Sequence, residues 1–224
     1  MWVIPPEENG EFVARMEDIL DLYQRPYNPK VPVVCQDEKP VQLVSDKREP
    51  LPVKPGHPKK VDYEYKREGV ANIFLFSESL AGWRKVNVRQ QRTGQDWAQE
   101  IKDLLDIHYP DAEKVCLVCD NLNTHKLGSL YETFAPEEAR RLARRLEIHY
   151  TPKHGSWLNM AEIELSALSK QGLSQRTPGM VTLSQATTAW TMQRNEKQKG
   201  VDWQFRTADA RIKLKRLYPQ FQTG

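Results

Sequence analysis

Three carboxylates in this chain stand where an active site would use them. Asp37 and Asp120 each follow a short apolar run, and Glu162 lies in a stretch with the apolar spacing of a helix. An apolar run that ends in a carboxylate places the charge at the rim of a sheet, where the sites of α/β proteins tend to lie. Because like charges repel, a cluster of these groups at neutral pH favours a bound hard cation.

The chemistry that such a cluster performs is phosphoryl transfer. Two carboxylates at strand ends and one on a helix can hold two Mg²⁺ ions about 4 Å apart, as in-line displacement at phosphorus requires. The spacing leaves a simpler alternative open for each residue, since an acid at a strand end is often solvated. Asp120, for example, can also serve as the Asx-turn residue of its loop.

The elements that position these carboxylates follow from apolar periodicity. Strands are predicted at 31–37, 71–76, 85–88, 114–120 and 147–150, with 41–44 as a continuation of the first strand or a hairpin partner. Helices are predicted at 7–23, 93–108, 158–168, 183–198 and 207–217, with helical residues up to about 145 interrupted near Pro136. This order predicts an α/β fold, in which a mixed sheet is flanked by helices.

The predicted domain organisation has three parts. Residues 1–30 form an N-terminal helical segment, 31–172 the catalytic domain, and 173–224 a C-terminal helical extension of the same domain. A chain of 224 residues is long enough to bury one sizeable core. No apolar run is long enough to span a membrane, so no membrane partner is expected.

The cysteines are predicted to be buried and reduced. Cys35, Cys116 and Cys119 all lie in apolar runs, and an odd number in such settings indicates an intracellular protein, expected in the cytoplasm. Residues three apart on a strand point to opposite faces, so Cys116 and Cys119 are not expected to share a zinc ion.

A net charge of +3 does not by itself indicate a nucleic-acid partner. The positions of the basic residues along the chain are more informative about DNA binding than their number. Lys54, Lys59 and Lys60 lie in a proline-rich segment that is poor in acids, and they are DNA-binding candidates. Arg140 and Arg144 are further candidates at i,i+4 spacing on a basic helix face. A solvated, salt-bridged face is an equally good interpretation of this second group.

Three stretches resemble, in order, the catalytic blocks of bacterial insertion-sequence transposases of the mariner superfamily. They read CQDEKP at 35–40, DNLNTH at 120–125 and PKHGSWLNMAE at 152–162. The resemblance implies an RNase H-like fold with Asp37, Asp120 and Glu162 as the catalytic triad. It also implies that this triad binds Mg²⁺ or Mn²⁺, with two ions expected.

Neighbouring polar residues have more than one interpretation. Glu164 competes with Glu162 for the third position, since both flank the apolar stripe of the helix, and only the Leu-Asn-x-x-Glu pattern favours Glu162. Glu38 follows Asp37 on the opposite strand face, where a supporting role is expected. Candidates for orienting the carboxylates or contacting phosphate are Asn121, Asn123, His125, His154 and Asn159.

The function implied by the resemblance is metal-dependent cleavage and transfer of DNA strands. Its partners would be double-stranded DNA, as transposon ends and target, and a second copy of the chain in a homodimer. Family members carry N-terminal helix-turn-helix domains, whereas about 30 residues precede the first strand here, so sequence-specific end binding is not expected.

The sequence is also compatible with two other functions. The first is a non-catalytic DNA-binding or dimerising remnant that modulates an intact transposase. The second is an RNase H-type nuclease that acts on RNA–DNA hybrids, which the three motif blocks argue against. Retention of all three acids favours the transposase.

Overall fold

A mixed five-stranded sheet forms the centre of the computed structural model, which describes residues 7–48 and 64–220. Its strands are β1 (Val33–Asp46), β2 (Tyr65–Glu78), β3 (Trp83–Arg89), β4 (Val115–Cys119) and β5 (Leu146–Tyr150). Their spatial order is β3-β2-β1-β4-β5. β1, β4 and β5 run parallel, whereas β2 is antiparallel to both β1 and β3. The predicted mixed sheet is therefore confirmed.

Helices cover both faces of this sheet. They are α1 (Gly10–Tyr23), α2 (Gly94–Asp103), α3 (Leu127–Thr133), α4 (Pro136–Arg144), α5 (Ala161–Gln171), α6 (Met180–Glu196) and α7 (Thr207–Lys213). Apolar residues of α1, α5, α6 and α7 pack on one face, and those of α2, α3 and α4 pack on the other. Every residue of β4 is buried, as expected of a parallel strand covered on both sides. Among the described residues, no helix is both long and apolar enough to cross a bilayer.

The first strand differs from the sequence prediction. Asp37 does not end it, because β1 continues to Asp46 and includes 41–44 as a continuation. β1 pairs with β4 only through Val33, Val34 and Cys35, while β2 pairs with β1 from Cys35 onward. The antiparallel partner therefore extends β1 beyond the point at which its parallel neighbour stops.

Two local predictions are confirmed by the structure. The strands that contain 71–76 and 85–88 form the expected antiparallel hairpin. Thr93 caps α2, since its Oγ1 accepts a hydrogen bond from the Asp96 amide at 3.2 Å and Asp96 Oδ2 accepts one from the Thr93 amide at 2.8 Å. This reciprocal capping satisfies amides that the first turn of a helix leaves without partners.

The cysteines are free and buried, as predicted. Cys116 packs with the layer that includes α1, and Cys119 packs on the opposite face with α2. The two thiols lie on opposite sides of β4, so they cannot share a metal ion.

Candidate active site

The sheet register brings Asp37 toward Asp120. Cys35 pairs with Val118 where the parallel ladder of β1 and β4 ends. Continuing this register by two residues places Asp37 opposite Asp120, which follows the last residue of β4. Both carboxylates thus lie where two neighbouring strands diverge, a common position for sites in α/β sheets.

Asn159 connects the third carboxylate to the same edge. Its Nδ2 donates to the carbonyl oxygen of Gln36 at 2.8 Å, and its Oδ1 accepts from the amide of Ala161 at 3.1 Å. Ala161 is the first residue of α5 and Glu162 is the second. The buried Asn159 amide therefore ties the start of α5 to the residue that precedes Asp37.

The electrostatics of Asp37 show that the carboxylates interact. Burial raises the pKa of Asp37, and repulsion from Glu162, Asp120 and Glu38 raises it further. The backbone amide of Glu38 donates a hydrogen bond to Asp37 and lowers the pKa, but the net result is a rise to about 7. A carboxylate that shares its site with like charges holds its proton more strongly. The same arrangement favours any cation that enters.

His125 lies between two of the acids. Its Nε2 lies 2.8 Å from Oε1 of Glu38 and its Nδ1 lies 2.6 Å from Oδ1 of Asp120. Burial lowers the pKa of His125, but hydrogen bonds to Asp120, Cys119 and Glu38 outweigh burial and raise it to about 12. The ring also stacks on Trp97 with a centroid separation of 5.7 Å. A buried imidazolium therefore holds Glu38 and Asp120 in place.

Glu164 has a different environment from that of Glu162. Its carboxylate accepts hydrogen bonds from Arg84 on β3 at 2.9 Å and from Arg194 on α6 at 2.8 and 3.0 Å. Burial alone would raise the pKa of Glu164, yet these arginines lower it below its usual value. Glu164 is thus enclosed in an ion-pair network that joins β3, α5 and α6.

Two lysines line the cavity beside Asp37 and Glu162, which has a volume of about 380 Å³. Lys39 donates to Ser169 Oγ at 2.6 Å, and Lys170 is exposed at the rim. We did not predict either lysine from the sequence. Helical periodicity contained part of the signal for Lys170, because i and i+8 belong to the same broad face of a helix such as α5.

A second groove, of about 430 Å³, is lined by Asp120, which is not among the residues that line the cavity beside Asp37 and Glu162. Asn121, His154, Lys153 and Arg15 of α1 contribute to its walls. His154 adopts a left-handed backbone conformation with φ of 65°, which is uncommon for a residue other than glycine. Lys153 lies in the 152–162 block but was not singled out from it, and nothing in the local sequence around Arg15 connects that residue with Asp120.

The remaining candidates lie apart from these cavities or outside the described residues. Asn123 is exposed and accepts a hydrogen bond from Lys126 Nζ at 2.9 Å. Lys54, Lys59 and Lys60 lie outside the described residues.

The basic face of α4 divides into two halves. Arg141 and Arg145 form ion pairs with Asp106, in agreement with the salt-bridged interpretation. Arg140 and Arg144 are exposed, and no carboxylate of the described part of the chain lies within salt-bridge distance of them. Only this second pair remains available to a phosphate.

A family model described as DDE superfamily endonuclease matches residues 32–182. The chain belongs to this family. The matched residues include all three blocks that contain Asp37, Asp120 and Glu162. No curated protein sequence matches this DDE domain significantly.

Solved structures similar to this DDE domain include those of Mos1 transposase. The structure titled as the catalytic domain of Mos1 mariner transposase has a TM-score of 0.54 at 14% identity, covering 88% of this chain and 96% of that one. A Mos1 paired-end complex with the left transposon end has a TM-score of 0.57 at 17% identity, covering 88% and 60%. The chain therefore spans 60% of the length of that transposase. These similarities establish the RNase H-like fold of a transposase catalytic domain.

Proposed function

We propose that this chain is the catalytic domain of an insertion-sequence transposase, which cleaves and transfers DNA strands with the aid of divalent metal ions. The observation that carries this proposal is the placement of Asp37 opposite Asp120 by the strand register, with the start of α5, which carries Glu162, tied to Gln36 by Asn159. In a family of DDE endonucleases, such a cluster is best explained by the cation that it would hold.

The residues fit Mg²⁺ or Mn²⁺, both of which prefer oxygen ligands. Asp37, Asp120 and Glu162 would hold the ions, which when bound would activate the attacking oxygen and stabilise the leaving oxygen. Oε2 of Glu38, buried beside them, has no hydrogen-bond partner among the described residues. It offers a further acceptor to a water or cation in the site. Structures of Mos1 complexes with Mn and with Mg support the same choice of metals.

The number of ions is a separate part of this proposal. We expect two ions, because in-line displacement at phosphorus uses one for the attacking oxygen and one for the leaving oxygen. In the described part of the chain, the three triad side chains do not form a group whose ligand atoms all lie within 4.8 Å of one another, so metal binding would draw the carboxylates together.

Other residues of the chain would handle the DNA. Lys39 and Lys170 line the cavity beside Asp37 and Glu162 and would contact phosphates that flank the scissile bond. Arg15 and Lys153 would guide the strand along the groove beside Asp120. His125 would hold Asp120 toward the metal rather than take part in proton transfer, because a pKa of about 12 keeps it protonated.

The substrate of this proposal is double-stranded DNA, with transposon ends and a target site as the two reacting partners. Mos1 complexes with a transposon end and in a strand-transfer state support this choice. Two copies of the chain would act together as a homodimer. Residues 31–172 would form the catalytic domain, with 1–30 and 173–224 packed around it.

A nicking assay tests the proposal directly. Purified protein with Mn²⁺ or Mg²⁺ should convert supercoiled plasmid to the nicked form, and Asp120→Asn should abolish this conversion. Glu132→Gln, at an exposed position of α3 that lines neither cavity, is the control and should retain activity. Absence of metal-dependent nicking by a folded, Mn²⁺-binding protein would instead favour the non-catalytic remnant that modulates an intact transposase.

A further inference from the structure

A second group of metal-ligating side chains lies on the neighbouring strands β4 and β5. Cys116 of β4 pairs in register with Glu147 of β5, and His149 follows two residues later on the same face. Among the described residues, these three form a group whose ligand atoms all lie within 4.8 Å of one another. Cys116 precedes Asp120 by four residues, or about 13 Å along an extended strand, so this group is separate from the triad.

The imidazole of His149 is oriented from both sides. Its Nε2 lies 3.1 Å from Oε1 of Glu147, while its Nδ1 lies 2.7 Å from Oδ2 of Asp18 on α1. A carboxylate that binds one ring nitrogen of a histidine while the other nitrogen binds metal is the usual support of a zinc ligand. Asp18 occupies this supporting position.

Basic side chains contact the other two members of the group. Lys114 contacts the other carboxylate oxygen of Glu147 at 3.2 Å, and Arg25 donates to Cys116 Sγ at 3.9 Å. The Cys116 sulfur therefore lies at a polar boundary, unlike a thiol enclosed by apolar side chains.

We propose that Cys116, Glu147 and His149 form a zinc site, with Asp18 orienting the histidine. Thiolate, imidazole and carboxylate together suit Zn²⁺, whereas Mg²⁺ prefers oxygen ligands alone. Tetrahedral zinc with ordinary bond lengths separates a nitrogen from an oxygen ligand by about 3.3 Å and from a sulfur by about 3.6 Å. The spacing of 3.1 Å between Nε2 and Oε1 is close to the first of these values.

Zinc binding at this site would release protons and join three elements. The proton of the Cys116 thiol and any proton on Nε2 of His149 would be released to solvent as Zn–S and Zn–N bonds form. The ion would reach the site past Asp18 and Glu147, whose side chains are 51% and 37% exposed. Binding would link β4 and β5 directly and α1 through Asp18, and α1 carries Arg15 of the groove beside Asp120.

Cobalt substitution tests this proposal through the thiolate. We expect the metal-free protein to bind one Co²⁺ with a sulfur-to-cobalt charge-transfer band in the near ultraviolet, which Zn²⁺ abolishes and Mg²⁺ does not. The measurement is made in the Asp37→Asn, Asp120→Asn double variant, so that the triad does not compete for the ion. Cys116→Ala should remove the band, whereas Cys119→Ala and Cys35→Ala, the matched buried cysteines, should retain it.

Variants at two half-exposed positions test the zinc site without changing the packing of the core. Glu147→Gln and Asp18→Asn should retain the fold, and each should weaken Zn²⁺ binding about 10- to 100-fold. A protein without the charge-transfer band, a band that persists in Cys116→Ala, or unchanged zinc affinity in both surface variants would overturn the proposal. None of these outcomes bears on DNA cleavage by the triad.

Discussion

Nδ1 of His125 lies 2.6 Å from Oδ1 of Asp120, although the two residues are separated by the turn that follows β4. On its other side, Nε2 of the same ring lies 2.8 Å from Glu38 of β1. One buried imidazolium thus joins the two strands that carry the aspartates of the triad. Under the proposed function, this contact would orient the Asp120 carboxylate for a metal ion, as supporting residues do at metal sites.

Replacement of His125 should therefore weaken metal binding. We expect His125→Asn to lower the affinity for Mn²⁺ about 10- to 100-fold, because Asp120 loses the group that orients it. Isothermal titration with Mn²⁺ measures the affinity, and the melting temperature identifies any loss of folding. His154→Asn, at an exposed position in the groove beside Asp120, is the control. Equal affinity in wild type and His125→Asn would remove the positioning role.

Metal binding should stabilise the fold, because an ion that binds only the native state shifts the equilibrium toward it. Mn²⁺ at about 100 times its dissociation constant should add about 2.7 kcal/mol to the free energy of unfolding. Asp37→Asn and Asp120→Asn should abolish the rise in melting temperature measured by scanning calorimetry. A rise that persists in both variants would exclude these residues from the site.

The protonation of Asp37 should make stability depend on pH. Its pKa is about 7 in the fold and 3.8 in the reference state, so the folded protein binds this proton more strongly. The contribution is fully present below about pH 4 and is lost as pH rises through 7. Without metal, Asp37→Asn should accordingly be more stable than wild type by roughly 1–3 kcal/mol at pH 8, with no difference at pH 4.

Urea denaturation at both pH values measures this difference, and comparing the two proteins cancels the titration of other groups such as His125. Mn²⁺ competes with the same proton. Its affinity for wild type should therefore rise as pH increases toward 7 and level off above it. A stability difference of the same size at pH 4 and pH 8 would show that Asp37 is not protonated in the fold.

Substitution of the two glutamates should separate chemistry from stability. Glu162→Gln should abolish plasmid nicking with a small effect on unfolding. Glu164→Gln should reduce stability by about 3–5 kcal/mol, because Arg84 and Arg194 lose the carboxylate that both contact. Nicking rates of the remaining folded protein and thermal denaturation measure the two effects. Normal nicking by Glu162→Gln together with inactive, folded Glu164→Gln would reverse the assignment.

DNA binding should depend on salt more than on sequence. Each phosphate contact changes log K by about 0.9 per unit of log salt concentration, so Arg140→Ala with Arg144→Ala should reduce the slope by about 2. Arg141→Ala, whose guanidinium is already paired with Asp106 and Glu138, should change it little. Lys54, Lys59 and Lys60 replaced together should also flatten the slope.

Fluorescence anisotropy with a transposon-end duplex and a scrambled duplex measures both properties. We expect nearly equal affinity for the two, because phosphate contacts carry no direct sequence information. A strong preference for one duplex that survives in high salt would reveal an element that reads base edges.

Sequence periodicity identified most of the elements, because each is amphipathic or wholly apolar over its own length. The α2 cap at Thr93 and the hairpin around Gly82 were predictable for the same local reason. The three-block resemblance identified the family to which the chain belongs, since residue types in a fixed order are a property of the sequence alone.

Tertiary structure revealed the environment of Glu164. A helical wheel placed Glu162 and Glu164 on either side of one apolar stripe, and the Leu-Asn-x-x-Glu pattern favoured Glu162 by resemblance alone. The contacts of Glu164 with Arg84 from β3 and Arg194 from α6 could not be predicted from periodicity. The same holds for Cys116, whose neighbours Glu147 and His149 come from a strand about thirty residues later. Charges and ligands act through space over a few ångströms, whereas periodicity reports only which side of an element a residue occupies.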